Sequence, residues 1–266
     1  MFAEAGWAYY SLSGFVVGAL VGMTGVGGGS LMTPMLILLF GFYPTTAVGT
    51  DLLFATVTKS VGTTVHRAKG MIDWRVVRLL ASGSIPAALA TLLALAWIGT
   101  PSPQISHIIT NVLGVALLFT ALAVLFRTSI IDWAHGKGRR ISPRRAAIGT
   151  VILGLVLGAA VTLSSVGAGA IGVTALVILY PELPTNRIVG TDIAHAVPLT
   201  LVSGLGHLLL GSVNLSLLGA LLLGSIPGVI LGSLALARTN DRVIRIILAI
   251  VLLIVTIRLL LPSILG

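Results

Sequence analysis

The chain has 266 residues, of which 56% are hydrophobic and only 9% charged, and its mean hydropathy is +1.11. A soluble domain carries about 25% charged residues, and apolar runs long enough to cross about 30 Å of hydrocarbon recur along this chain. A water-soluble domain is therefore excluded, and an all-α polytopic membrane protein is expected. The formal net charge of +9 reads as basic loops on the cytoplasmic face, not as a nucleic-acid surface. Cysteine is absent, which excludes disulfides, thiolate catalysis and cysteine-held metals.

In chain order, Glu4 and the lack of a basic n-region argue against a cleavable signal peptide. A hydrophobic segment at about 8–24 then runs into Gly25-Val26-Gly27-Gly28-Gly29, and a short apolar limb follows at about 30–42. Gly14, Gly18 and Gly22, spaced at i, i+4 and i+8, suit close helix packing. The adjacent glycines of the cluster put no coherent small face on a helix, and each costs about 1 kcal/mol relative to alanine inside one. The two limbs read either as a hairpin turning near the bilayer middle or as a full helix followed by a tilted short one. Plain crossings are expected at about 46–66, 76–98 and 104–126, followed by a basic linker over 127–146.

The pattern then returns. Gly154-Leu-Val-Leu-Gly158 and Ser165-Val166-Gly167-Ala168-Gly169 repeat the opening phrase, with limbs at about 147–163 and 170–181. Pro44-Thr45 recurs as Pro184-Thr185, Val48-Gly49-Thr50-Asp51 as Val189-Gly190-Thr191-Asp192, and Gly83-Ser84-Ile85-Pro86 as Gly224-Ser225-Ile226-Pro227. The expected organisation is a first transmembrane repeat over 1–126, a cytoplasmic linker over 127–146 and a second repeat over 147–266, with eight to ten membrane segments in total.

Thirteen of the sixteen Lys and Arg residues fall in three stretches: Arg67 to Arg78, Arg127 to Arg145 and Arg238 to Arg245. Placing all three in the cytoplasm also puts Arg187 inside, leaves the neutral turn 208–216 outside, and sends both termini outside. The turn equivalent to 208–216 is the basic turn 67–75, so equivalent loops face opposite sides and the repeats are inverted. Arg258 is the one misfit, and snorkelling accommodates it.

A duplicated, glycine-interrupted hydrophobic unit points to a secondary transporter with its substrate site at the interruptions. Unwound backbone leaves N–H donors free, and a helix starting near Ser30 adds a positive dipole end. An anion nest is expected from Thr24, Gly25, Gly27, Gly28, Gly29 and Ser30 of one break with Ser164, Ser165, Gly167 and Gly169 of the other. A structural crossing of helices is the alternative.

Lys59, whose counterpart is Thr200, either neutralises an anionic substrate or snorkels. Asp51 and Asp192 serve either the local helix start or proton or ion coupling. His195, three residues after Asp192, shares its helical face and suggests a proton relay. His66 and His207 read as helix-end residues, and no metal site, cofactor site, catalytic group or phosphate loop stands out.

The Gly25 to Gly29 cluster, Pro34 and Val48-Gly49-Thr50, with a degenerate copy opening the second half, resemble the TauE/SafE-type sulfite exporter and anion permease family over about residues 10–262. The second copy departs from the glycine pattern, with Ser165 and Ala168 in place of Gly25 and Gly28. The resemblance implies an inner-membrane permease of a prokaryote for a small sulfur-containing anion such as sulfite or a sulfonate, and not an enzyme. Its expected partners are that anion and the lipid bilayer, and homo-oligomerisation is left open. The rival readings are a cation-coupled carrier that uses Asp51 and Asp192 as ligands, and an intramembrane enzyme built on Asp192 and His195.

Overall fold

The structure, a computed structural model, describes residues 2–24, 29–99, 103–136, 141–235 and 241–265, all within or between helices. Gly25, Gly27 and Gly28 of the expected nest lie outside these residues, as do Lys137, Arg139, Arg140 and Arg238 of the basic stretches. The helices are α1 (Phe2–Thr24), α2 (Gly29–Leu38), α3 (Pro44–Ala68), α4 (Trp74–Ile98), α5 (Pro103–Leu125) and α6 (Arg127–Gly136). After them come α7 (Pro143–Ser164), α8 (Ala170–Leu179), α9 (Thr185–Leu209), α10 (Leu215–Ala235) and α11 (Asp241–Leu265). Among the described residues, five helices are long and apolar enough to cross a membrane: those over 74–98, 104–125, 143–164, 185–209 and 215–232. The protein is a polytopic helical membrane protein. The linker is not plain loop, because its first part folds as α6.

Local chemistry sets the helix ends. Pro44 and Pro143 occupy first-turn positions, where a missing N–H costs nothing. Asp73 caps α4 by accepting from the backbone N–H groups of Arg75 and Val76 at 3.1 and 3.2 Å. Asn214 caps α10 in the same way through Leu217 N–H at 3.0 Å. Gly70 and Gly211 close α3 and α9 at φ of 65° and 70°. Each carries the reversed hydrogen bond of a left-handed helix end, Met71 N–H to His66 O at 3.0 Å and Ser212 N–H to His207 O at 2.9 Å.

Each broken segment is a hairpin. The Tyr10 ring meets the rings of Phe40 and Phe42, with centroids 5.0 and 5.8 Å apart. The chain that left Tyr10 along α1 has therefore returned to its level by the end of α2. In the later copy, Thr150 Oγ1 and Tyr180 Oη lie 2.8 Å apart, so α8 returns along α7. A ten-residue limb is only about 15 Å long, too short to span.

Small residues bring specific helices together. A Cβ on Gly14 or Gly18 of α1 would strike the backbone of Leu221 or Ser225 on α10. A Cβ on Gly154 or Gly158 of α7 would strike Leu80 or Ser84 on α4. Backbones that close leave room for nothing larger than glycine. Between these two pairs, α3 and α9 cross antiparallel: Gly49 meets His207, Leu53 meets Gly204, Gly62 meets Ile193 and Gly190 meets His66.

Candidate functional site

The α3–α9 crossing is the polar centre of an otherwise apolar interior. Thr56 Oγ1 donates to Thr200 Oγ1 at 3.0 Å, joining the two helices near their midpoints. Close by, the Thr162 and Ser203 hydroxyls pair at 2.8 Å, and His207 Nε2 meets the Thr162 carbonyl at 2.9 Å. Thr162, Ser203 and His207 are fully buried.

The second break is built for a helix to stop and restart. Ser165 adopts the left-handed conformation at φ 58°, the one positive φ at a non-glycine among the described residues, and Gly167 and Gly169 follow at 126° and 134°. Glycine holds such angles without a Cβ clash, whereas serine there is strained. The Ser164 hydroxyl stitches the turn by accepting from Val166 N–H at 3.2 Å and donating to Ala160 O at 2.7 Å. α8 then starts at Ala170, with Gly172 N–H bonding back to Gly167 O at 3.1 Å. Residues 164–168 are buried, so this backbone is walled by protein as non-helical backbone in a membrane must be. Ser165 Oγ is buried and points toward the Asp51 carboxylate, without completing a hydrogen bond of good geometry.

Lys59 reaches this break. From the middle of α3 its Nζ donates to the Ala168 carbonyl at 3.1 Å. It does not snorkel: it is half-buried and committed to the backbone of the later half. Asp51 and Asp192 flank it within electrostatic range, one from α3 and one from α9. Asp51 accepts from the Thr33 hydroxyl of α2 at 2.5 Å, while its other oxygen has no hydrogen-bond partner. Asp192 faces the start of α8, where a Cβ on Gly172 would strike its Oδ1. The Gly169 N–H points toward it, yet neither carboxylate oxygen completes a hydrogen bond. Both aspartates are fully buried or nearly so.

The structure thus brings Lys59, Asp51, Asp192, Ser164, Ser165, Gly167 and Gly169 to one region. Ser30, at the start of α2, is buried and Gly29 opens that helix, while Thr24 closes α1. It does not pair Asp192 with His195. The His195 Nε2 bonds instead to the Ser84 hydroxyl of α4 at 2.8 Å, and its Nδ1 has no partner. A three-residue separation places both side chains on one broad face, but α8 takes the carboxylate and α4 takes the imidazole. Reading the sequence misses Thr33, Thr56 and Thr162, and shows Ser84 and Thr200 only as repeat positions with no role. Hydroxyls inside apolar segments are the only signal they leave, and many such hydroxyls simply bond to their own helix.

Apolar spans that enclose a cation, two carboxylates and unwound backbone near a helix crossing are the arrangement expected of a membrane transporter. Residues 10–259 match the family Sulfite exporter TauE/SafE, and the chain belongs to that family. It is 37% identical over 209 residues to the Probable membrane transporter protein YjnA of Bacillus subtilis (strain 168), covering 77% of this chain and 81% of the relative. It is 26% identical over 201 residues to the Probable membrane transporter protein YdhB of the same organism, covering 75% and 78%. A Probable membrane transporter protein of Xylella fastidiosa (strain 9a5c) is 30% identical over 115 residues, 42% of each chain. No solved structure matches the chain.

Proposed function

We propose that this chain is a secondary transporter of a small oxyanion, with a sulfur-containing anion such as sulfite as its substrate. One observation carries the reading: Lys59 Nζ sits at the turn that opens α8, the same turn that carries the buried Ser165 hydroxyl. The positive end of a helix, a hydroxyl donor and an ammonium group converge there, and together they suit a compact anion. Lys59 compensates substrate charge, while Asp51 and Asp192 hold Lys59 in place and carry the coupling proton or ion. A compact doubly charged oxyanion would make use of all three donors.

We further propose that the halves 1–126 and 147–266 are inverted repeats joined by the linker 127–146, and that they rock about the α3–α9 crossing in the inner membrane of a prokaryote. The antiparallel run of α3 against α9 supports this, as does the exchange that seats α1 on α10 and α7 on α4. Arg187 pairs with Asp73 at 3.4 Å, so the basic 67–75 turn and the start of α9 share one end of the molecule. Asn214 N–H bonds Thr50 Oγ1 at 3.1 Å, which puts the neutral turn at the other end. With the basic end cytoplasmic, both termini face away from the cytoplasm.

Flux of labelled sulfite into proteoliposomes, with pH and sodium gradients imposed separately, tests the reading. Saturable sulfite flux that responds to one of the gradients is the expected result. The two carboxylates around one ammonium also favour a cation carrier. Substrate-independent sodium flux lost in both Asp51→Asn and Asp192→Asn would establish that rival instead.

A further inference from the structure

We infer that α5 and α11 hold a phospholipid, its phosphate at Arg258 and one acyl chain in the furrow between α11 and the first hairpin. The site lies away from the α3–α9 crossing and does not depend on the transport reading.

The polar part is a cavity of about 320 Å³ lined by Arg258 of α11 with Ser106, His107, Thr110 and Asn111 of α5, and closed by Leu38. His107, Thr110 and Asn111 follow the i, i+3, i+4 rule, so they form one face of α5. They lie in the first turns of a helix that begins at Pro103, and Arg258 stands seven residues before the end of α11 at Leu265. Both placements are near the ends of membrane helices, where phosphates sit. Arg258 has no ion-pair partner among the described residues. Its neighbours Ile257 and Leu261 are 58% and 48% exposed, so it opens onto a lipid-facing surface. A guanidinium in such a place is always charged and suits a phosphate's paired oxygens. The imidazole and amide opposite supply further donors, as does the Ser106 hydroxyl, while the Thr110 hydroxyl donates to Ser106 O of its own helix at 2.8 Å.

The apolar part decides between a lipid and a free anion. A second cavity of about 250 Å³ shares Leu38 with the first and runs between α1, α2 and α11, lined by Val17, Pro34, Val251 and Val255 among other apolar side chains. Val255 and Val251 precede Arg258 by three and seven residues, and so continue its stripe along α11. Over those seven residues the stripe descends about 10 Å toward the middle of the helix. Polar donors near the membrane boundary that give way to an apolar furrow at greater depth fit a headgroup and its chain. A free oxyanion would have no use for the furrow.

Native mass spectrometry of the purified full chain, with dioleoyl phosphatidylglycerol added, reads the outcome. Wild type should retain one lipid per chain. Arg258→Gln and His107→Ala should each weaken retention, the former by about tenfold, as expected for the loss of a charge-assisted contact. Val255→Trp, which fills the furrow and leaves Arg258 in place, should weaken it comparably, and inorganic phosphate should not displace the lipid. All three positions line open cavities, and unchanged thermal unfolding of the variants confirms that they fold. Retention equal to wild type in both Arg258→Gln and His107→Ala would overturn the proposal. So would displacement by inorganic phosphate combined with no effect of Val255→Trp, which would leave a plain anion site.

Discussion

The helices before and after α6 share a framework but not a chemistry. Gly14 meets Leu221 as Gly154 meets Leu80, and Gly224 meets Ser11 as Gly83 meets Val151. Thr50 accepts from the amide of Asn214 as Thr191 accepts from that of Asp73, at 3.1 and 2.8 Å. The polar centre breaks this correspondence. Thr200 stands where the first half has Lys59, and Phe54 stands where the second has His195. Thr33 holds Asp51, while Asp192 has no completed hydrogen bond. The corresponding helices pack against one another as a shared scaffold. The proposed anion site needs a single lysine, and the other half has threonine there.

Substitutions at equivalent positions separate the two behaviours. The largest effects belong to the framework and should be equal in both halves. Gly14→Val and Gly154→Val each drive side-chain carbon into a neighbouring helix's carbonyl. Over-packing typically costs about 1–3 kcal/mol, and backbone cannot yield as a side chain can. Both variants should therefore lose most folded protein, judged by monodisperse yield after extraction. If Gly14→Val folds normally while Gly154→Val does not, the two packings are not equivalent.

The next effect should be one-sided. Lys59→Gln keeps a donor for the Ala168 carbonyl but removes the charge, and should raise the half-saturating anion concentration about tenfold, the equivalent of one lost charged contact. Thr200→Val, at the counterpart position, removes only neutral bonds, from Thr56 and to Ala196 O of its own helix, and should leave that concentration unchanged. Transport assays on both variants at fixed pH make the comparison. Equal behaviour of the pair would remove Lys59 from the substrate site.

Much of this framework is visible in the sequence, because it rests on local rules. The Pro44 and Pro184 starts, the turn glycines and the Gly14–Gly18 spacing all set helix positions within a few residues: 46–66 was expected and Pro44–Ala68 is found. α6 was hidden because Ile130, Ile131 and Trp133 lie among the charges of a linker. The site was legible only as a set of residue types. Lys59's partner is a main-chain carbonyl, which carries no residue signature. The partner of His195 is Ser84, 111 positions away on a helix whose contact with α9 no local pattern announces. Asp192 and His195 are neighbours in the sequence, but packing against different helices separates their contacts.

The two aspartates sharpen the contrast further. An asparagine at 51 can still accept from the Thr33 hydroxyl through its carbonyl oxygen, so Asp51→Asn should fold and bind substrate nearly as wild type does. Asp192 has no comparable anchor, and its charge faces Lys59 and the start of α8. Asp192→Asn should flatten the dependence of transport on pH more than it changes substrate affinity. Initial rates measured across a pH series, at saturating and at low anion concentrations, distinguish the two effects. An unchanged pH profile in Asp192→Asn would assign that aspartate a structural role at the α8 junction.

The smallest expected effect is the most exacting check on equivalence. Thr50 and Thr191 are both fully buried, and each accepts the amide of the residue that begins the turn into α10 or α4. Valine matches threonine in shape, so Thr→Val removes the hydroxyl without opening a cavity. It leaves one half-buried amide without its acceptor, a loss of about 0.5–1.5 kcal/mol. Thr191 Oγ1 also donates to Arg187 O at 2.7 Å, within its own helix, where that carbonyl already has a helical partner, so this second bond adds little. The two sites lie at opposite ends of the α3–α9 pair and share no partner, so their effects should add in the double variant. Thermal unfolding in detergent should show similar downward shifts for Thr50→Val and Thr191→Val, and their sum for the pair. Transport by the remaining folded protein should be unaltered, since neither hydroxyl faces Lys59. A shift confined to one variant would mean that the two turns, alike in sequence and in hydrogen bonding, carry different loads, and that the asymmetry of the site extends into the scaffold that holds it.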